Sequence, residues 1–341
     1  MTEPTRVVVV GLGATGVAIA TSLLKRNDCA LVGAADIAPE RAGVDIGELC
    51  GVGPVGTAVV ETLDALPSAD VAVVATTSWV TAIEPTLTAL IERGMNVVSI
   101  CEELRHPQLS HADLVERLDK LATDRGVSIL GTGCNPGMVM DTLPLLLSSL
   151  TQRVDRVTIR RTAQMGRYGT ILAKFGLGLT AEEFDAQQSA GNVMGHVGFE
   201  QSIAAIAAGL GWELDAIAVD PVRPAVIATT PRHGEHVVIQ GGTVAGVVHQ
   251  ARGYRDSETV IELITLFGIF EDSDDLRPGD TLRLDGEQTI EVTAPSGYES
   301  FLSTISVACN TALASVEAAP GFRTMSDLPV SALASKGARF R

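Results

Sequence analysis

The sequence predicts an α/β chain: a doubly wound parallel sheet, then a second α+β domain with a mixed or antiparallel sheet. Three observations carry this expectation. Over the first 145 residues, short apolar runs alternate with helical stretches. The turn after the first run, Gly11-Leu12-Gly13-Ala14-Thr15-Gly16, is a full match to G-x-G-x-x-G. Near Val154 the rhythm changes, and strand patterns then follow one another between Pro, Gly and charged turns.

Val7 to Val10 is a β-branched run, the pattern of a strand buried on both faces. Gly11 permits the tight turn, Gly13 lets a pyrophosphate approach the backbone, and Gly16 lets the helix from Val17 pack on the strand. The helix N-terminus offers free N–H groups and a partial positive charge. A second strand, Ala30 to Ala35, ends at Asp36, where a carboxylate accepts hydrogen bonds from a ribose 2′-OH. This is a Rossmann-type dinucleotide site. Asp36 favours NAD over NADP, because a carboxylate repels a 2′-phosphate. Arg41 is within reach of a 2′-phosphate or else a solvated loop residue, so NAD or NADP stays open.

Further along, Thr57 to Val60 reads as a short strand, Thr62 to Leu66 as a short helix and Ala69 to Thr76 as a buried strand. Thr76 and Thr77 stand at its carboxyl end, where they touch a dinucleotide or cap the helix Val80 to Arg93. The strand Met95 to Ile100 leads to Glu102 and Glu103. A helix from Ser110 to Arg125 stops at Gly126. The strand Val127 to Leu130 runs into Cys134-Asn135-Pro136-Gly137, with a helix expected from Pro136.

Beyond Val154 the expected strands are Val154 to Met165, Ala225 to Thr230, His236 to Gln240, Val244 to Arg252, Thr259 to Phe270, Asp280 to Leu284 and Gln288 to Val292. Helices are expected at Thr180 to Phe184 and Phe199 to Gly209. The helix Gly297 to Ala318 is expected to pack back on the first domain, and the tail after Pro320 to be irregular. The expected domains are therefore 1–145 with 297–341, binding the dinucleotide, and 146–296, binding substrate.

The formal net charge of −16 disfavours nucleic acid and anionic membranes as partners. No apolar run reaches membrane-spanning length, and no signal peptide is expected before the first strand. The five cysteines are scattered without a C-x-x-C, so a reducing cytoplasm is expected. No H-x-x-x-H or H-E-x-x-H occurs, and no metal site is expected.

Two strand-end loops carry the candidate chemistry. A carboxylate of Glu102 or Glu103 can hold a substrate ammonium and act as general base toward water. The competing reading is that they cap the following helix or pair with Arg105. The Asn135 amide can bind the nicotinamide carboxamide or a substrate oxygen, or simply shape a turn. Cys134, Met138, Gln164 and His196 are the expected pocket liners. Arg160, Arg161, Arg167 and Lys174 are the only basic candidates near the pocket, most of them read as solvated.

GLGATG, VVSICEEL and GTGCNPGMVMDTLP in that order, with LAKFGLGLTAEEF and GHVGFEQSIAAIAAGLGW after them, resemble the 2,4-diaminopentanoate dehydrogenase family. Its relatives are the native NAD(P)-dependent amine dehydrogenases, with a Rossmann domain like that of dihydrodipicolinate reductase. The resemblance implies a dimeric oxidoreductase that interconverts an amine with a ketone or aldehyde plus ammonia. It places the catalytic glutamate within Glu102-Glu103, with Glu103 preferred, and Asn135 near the nicotinamide. The chain lacks the H-H-x-x-K and S-G-T motifs of true dihydrodipicolinate reductases. Two other readings are an alcohol or semialdehyde dehydrogenase of homoserine-dehydrogenase type, for which Lys174 is the one attractive general acid, and a non-catalytic NAD(P)-binding sensor.

Overall fold

Successive side chains of a strand point to opposite faces, and in Val7–Val10 all four are apolar. Val7 and Val9 enter one apolar cluster, Val8 and Val10 another. A strand of this kind needs cover on both sides. The computed structural model describes residues 3–169 and 171–329. In it, β1 (Thr5–Val10) lies inside a seven-stranded, wholly parallel sheet. On one side stand β2 (Cys29–Ala35) and β3 (Val59–Val60). On the other stand β4 (Val71–Val74), β5 (Asn96–Ser99) and β6 (Ser128–Gly131).

Helices cover both faces. On the first, α1 (Ala14–Leu24) contributes Ile19, Ala20 and Leu23, beside the short α2 (Ile46–Leu49). The late helix Ser300–Ser315 adds Ile305, Ala308, Cys309 and Ala312 to the same cluster. On the second face, α3 (Val80–Glu92) and α4 (Ala112–Arg125) bury Ile83, Leu87, Leu90, Leu114 and Leu118. Each such side chain contributes about 1.5–3 kcal/mol. Gly126 ends α4 at φ +71°, the left-handed stop expected there.

Two expectations need correction. The tail after Pro320 is not irregular throughout: Gly321–Phe322 forms an edge strand parallel to β6, and Met325 is buried. The Asp119 carboxylate accepts the Phe322 N–H at 2.7 Å, which holds it there. The remainder, 330–341, lies outside the described residues. Nor does a regular helix start at Pro136. The chain turns back so that Cys134 and Gly137 pair, and Met138–Thr142 forms one π turn before α5 (Leu143–Ser148).

The chain divides into two compact units, Met1–Thr142 with Phe301–Arg341, and Leu143–Ser300. The second is built on a mixed sheet. It contains β7 (Val154–Gln164), α6 (Ile171–Lys174), α7 (Ala181–Ser189), α8 (Phe199–Leu210), β8 (Ala216–Val219) and β9 (Arg223–Ile227). A two-stranded ribbon, β10 (Arg232–His233) with β11 (Val238–Ile239), follows. The unit closes with β12 (Val244–Arg255), β13 (Glu258–Gly268), β14 (Gly279–Gly286) and β15 (Ile290–Ala294). The strand order is β15-β14-β7-β13-β12-β8, with β9 also on β12. Only β7 and β13 run parallel; the other pairs are antiparallel. β8 has no counterpart among the expected strands, because AIAV is too short to show a period.

Candidate active site

The sheet order reverses between β1 and β4, and ligands of open parallel sheets bind outside the strand ends at such a point. Here the first loop is shaped by missing side chains. Gly11 has φ +87°, and a Cβ on it would lie 2.6 Å from the Ala75 carbonyl oxygen. A Cβ on Gly16 would lie 1.8 Å from the Gly11 oxygen. Gly13, the N-cap of α1, has open space where a Cβ would stand. No side chain caps α1 and no acid lies in its first turn, so its N-terminal N–H groups face outward unspent. A cavity of about 470 Å³ in this unit is lined by Gly11, Gly13, Asp36, Thr76, Thr77 and Ile83 among others. Leu12 and Gly16 are buried beneath the turn, while Ala14 and Thr15 start the helix.

Asp36 does more than end β2. Its Oδ2 accepts the Leu12 N–H at 2.5 Å and the Arg41 guanidinium at 2.8 Å, and its Oδ1 accepts the Ala38 N–H at 2.8 Å. Burial pushes this carboxyl up, but the two N–H groups and Arg41 outweigh it and hold it below the usual range. Arg41 is therefore not a solvated loop residue: it is half-buried and paired with Asp36.

The turn Glu102–Arg105 follows β5. Its two acids behave differently. The Glu103 carboxylate accepts the Val80 N–H at 2.8 Å, capping α3, and its own N–H donates to the Ser78 carbonyl at 3.2 Å. His111 Nε2 lies 4.0 Å from the same carboxylate. Glu102 caps no helix. Burial raises its carboxyl above the ordinary value and the charge of Glu103 adds to this; its own backbone N–H and the Ser78 hydroxyl oppose it. Glu103 thus caps the preceding helix, not the following one, and Arg105 pairs with Asp141 rather than with either glutamate.

The second turn leaves β6, the strand next to β5. Asn135 presents an amide oxygen that is buried with no partner. Cys134 is wholly buried and its N–H donates to Thr304 Oγ1 at 3.3 Å. Met138 is half-buried against the apolar cluster beneath the sheet. An uncapped helix end at a glycine-lined cavity suits phosphates, and a buried, unspent acceptor on the turn after β6 of the same sheet suits a carboxamide. The residues present fit a dinucleotide bearing both. Among the described residues, no cluster of His, Cys, Asp or Glu is arranged to hold a metal ion.

The second unit has a cavity of about 660 Å³, lined by Gln164, Met165, Tyr168, Asp280, Tyr298 and Glu299 among others. The Gln164 amide is engaged at both ends with the Phe270 backbone, at 3.1 and 2.8 Å. Tyr168 donates its hydroxyl to Glu299 at 3.0 Å. Of the four basic candidates, Arg161 is 1% exposed and pairs with Asp280 at 3.0 Å, also donating to the Tyr298 carbonyl at 2.9 Å. Arg160, Arg167 and Lys174 are exposed. His196 is not among the cavity's lining residues. Its ring packs edge-on to Phe199 at 4.6 Å, and burial, with His249 and Arg161 adding, drives it down to about 3, so it is neutral.

A parallel sheet with this dinucleotide crevice, followed by a mixed-sheet unit, defines an NAD(P)-dependent oxidoreductase. Residues 138–339 match the 2,4-diaminopentanoate dehydrogenase C-terminal domain, and residues 5–101 the dihydrodipicolinate reductase N-terminus. The chain is 30% identical to the 2,4-diaminopentanoate dehydrogenase of Acetoanaerobium sticklandii, over 96% of this chain and 94% of that one. It shares its fold with the amine dehydrogenase of Mycobacterium smegmatis at a TM-score of 0.80 and 24% identity, covering 99% of this chain and 98% of that one. A more distant likeness is the UDP-N-acetylglucosamine 3-dehydrogenase of Acidithiobacillus ferrooxidans: TM-score 0.51, 14% identity, 89% and 76% covered. The chain belongs to the 2,4-diaminopentanoate dehydrogenase family.

Proposed function

We propose that Glu102 is the acid–base residue of this NAD(P)-dependent amine dehydrogenase, which interconverts an amine with a ketone or aldehyde and ammonia. One observation carries the assignment. Of the two neighbouring acids, Glu103 is committed to capping α3, while Glu102 caps no helix and its carboxyl is raised by burial. A carboxyl raised in this way gives and takes protons nearer working pH.

The Gly11–Gly16 turn and the start of α1 hold the pyrophosphate. Asp36 and Arg41 stand at the adenosine ribose, Thr76 and Thr77 line the way between, and the Asn135 oxygen accepts from the carboxamide. When bound, the cofactor takes or supplies the hydride. In deamination, Glu102 holds the substrate nitrogen by a charge-assisted hydrogen bond and stabilises the iminium that forms. It then takes a proton from the attacking water and passes it to nitrogen, and as ammonia leaves it takes the remaining hydroxyl proton, giving the carbonyl product. Reductive amination retraces these steps. Cys134 and Met138 on the first unit, and Gln164 and His196 on the second, are each further candidates for substrate contact, although their polar atoms or bulk are already engaged in packing.

The ion pair of Asp36 with Arg41 supports use of both NAD and NADP, since Arg41 offsets the carboxylate that would repel a 2′-phosphate. Val219 and Ile227 are exposed apolar residues on β8 and β9, which supports a homodimer formed through the second unit. The five cysteines form no disulfide, which supports a cytoplasmic site of action. Among the described residues, no helix is long and apolar enough to cross a membrane.

The test is a panel of ketones and aldehydes with NADH or NADPH, run with and without ammonium. Cofactor consumption should require ammonium, and Glu102→Gln should lower kcat by roughly 10²–10⁴-fold. Wild-type turnover in Glu102→Gln, or turnover independent of ammonium, would overturn the assignment.

A further inference from the structure

Glu102 and Asn135 sit on turns that leave adjacent strands, β5 and β6. A buried ion pair joins those two turns. Arg105, the last residue of the first turn, donates through Nε to Asp141 Oδ1 at 2.7 Å and through Nη2 to Thr142 Oγ1 at 3.1 Å. The other Asp141 oxygen accepts the Gly137 N–H at 2.8 Å, inside the Asn-Pro-Gly turn. The two side chains are 2% and 0% exposed. Beneath them, a Cβ on Gly131 would lie 2.4 Å from the Leu104 carbonyl, so the first turn rests directly on the end of β6.

Stability is a poor reason for such a pair. Burying two charges costs about as much as their attraction returns, and apolar residues of similar size often serve as well. Arg105 Nη1 is moreover buried without a partner, a further cost. What apolar residues do not supply is direction: the forked guanidinium fixes distance and angle between the turns. We propose that Arg105 and Asp141 are positioning residues, a strut that sets the Glu102 carboxyl at its working place relative to Asn135. Neither residue touches substrate or cofactor in this role. The proposal rests on Glu102 being the acid–base residue.

The experiment compares wild type with the double variant Arg105→Met/Asp141→Leu, which fills the same volume without charge. Its thermal midpoint should stay within a few degrees of wild type. NADH affinity, read by fluorescence titration, should change by less than about threefold, because the phosphate and adenosine contacts lie on β1, β2 and β4. The kcat for reductive amination should fall by about 10²-fold, the cost of a misplacement near 1 Å. The acid limb of the kcat–pH profile should move to lower pH, as a loosened Glu102 gains solvent; Glu103 is the titratable neighbour that bears on it. A folded double variant with wild-type kcat and pH profile overturns the strut. So does a loss of kcat that only follows the folded fraction while the acid limb stays in place. If the double variant does not fold, Asp141→Asn, which keeps an acceptor for Gly137 N–H, is judged by the same two criteria. Glu102→Gln runs alongside. Its retention of wild-type rate would end the acid–base reading, whereas an inactive Glu102→Gln beside a fully active double variant would end the strut alone.

Discussion

Two parts of the first sheet's carboxyl edge are built by opposite means. At β1 the wall is backbone: glycines open space, and N–H groups at the start of α1 face it. The turns after β5 and β6 are instead held by side chains, a glutamate cap and a buried Arg–Asp pair. A phosphate is recognised by many weak dipoles, so removing bulk is enough. A reacting centre needs one carboxyl at one place, and only directional contacts provide that. The first part therefore has no room for added atoms at Gly11 and Gly16, whereas the second depends on the angle its side-chain contacts hold.

Substitutions can break this contrast. The largest expected effect is Gly16→Ala. Its methyl would lie 1.8 Å from the Gly11 carbonyl oxygen, a backbone atom that cannot swing aside, so the turn must open. The expectation is a stability loss of about 3 kcal/mol or more and loss of NADH binding, read by denaturant titration and fluorescence. An unchanged affinity would show that the backbone end is not built by close contact.

Next comes the pH dependence of stability at the other end. Glu102 has its carboxyl raised in the folded chain by burial. Its contribution to stability is complete below the unfolded carboxylate range and is lost as pH rises through the folded value. Glu102→Gln should therefore cost activity yet melt higher than wild type, with the gap widening from acid toward neutral pH. Thermal melts across that window check the sign. A gap that widens toward acid would mean that the folded chain stabilises the charged form.

The smallest effect concerns Arg41. Arg41→Ala should weaken NADPH binding roughly tenfold, the worth of one charged hydrogen bond, and leave NADH binding within about twofold. Parallel titrations with the two cofactors measure it. Equal weakening of both would make the Asp36–Arg41 pair a fold contact rather than a cofactor selector.

Local spacing carries much of this architecture. The valine run, the glycine triplet, Asp36 at the end of β2 and the Gly126 stop are each legible, because one turn or one strand contains the whole cause. The long strands of the second unit, β7, β12, β13 and β14, are legible to within a few residues for the same reason, whereas the short β8 and β10 are not. The edge strand at Gly321 is not, since two residues show no period and its partner lies at Ser128.

By itself, then, the sequence determines that the chain makes a parallel sheet with a dinucleotide turn, that a second sheet follows, and which two loops bear acid and amide. Only the tertiary structure decides which acid is committed. Glu103 meets the Val80 N–H, 23 residues earlier in the chain, and Arg105 meets Asp141, 36 residues later. It also decides that Arg161 is buried against Asp280 across 119 residues, not solvated. The reason is the range of the forces. Turn sterics and burial patterns act between near neighbours in the chain. A hydrogen bond between distant side chains exists only after the sheet has set the separation of its strand ends.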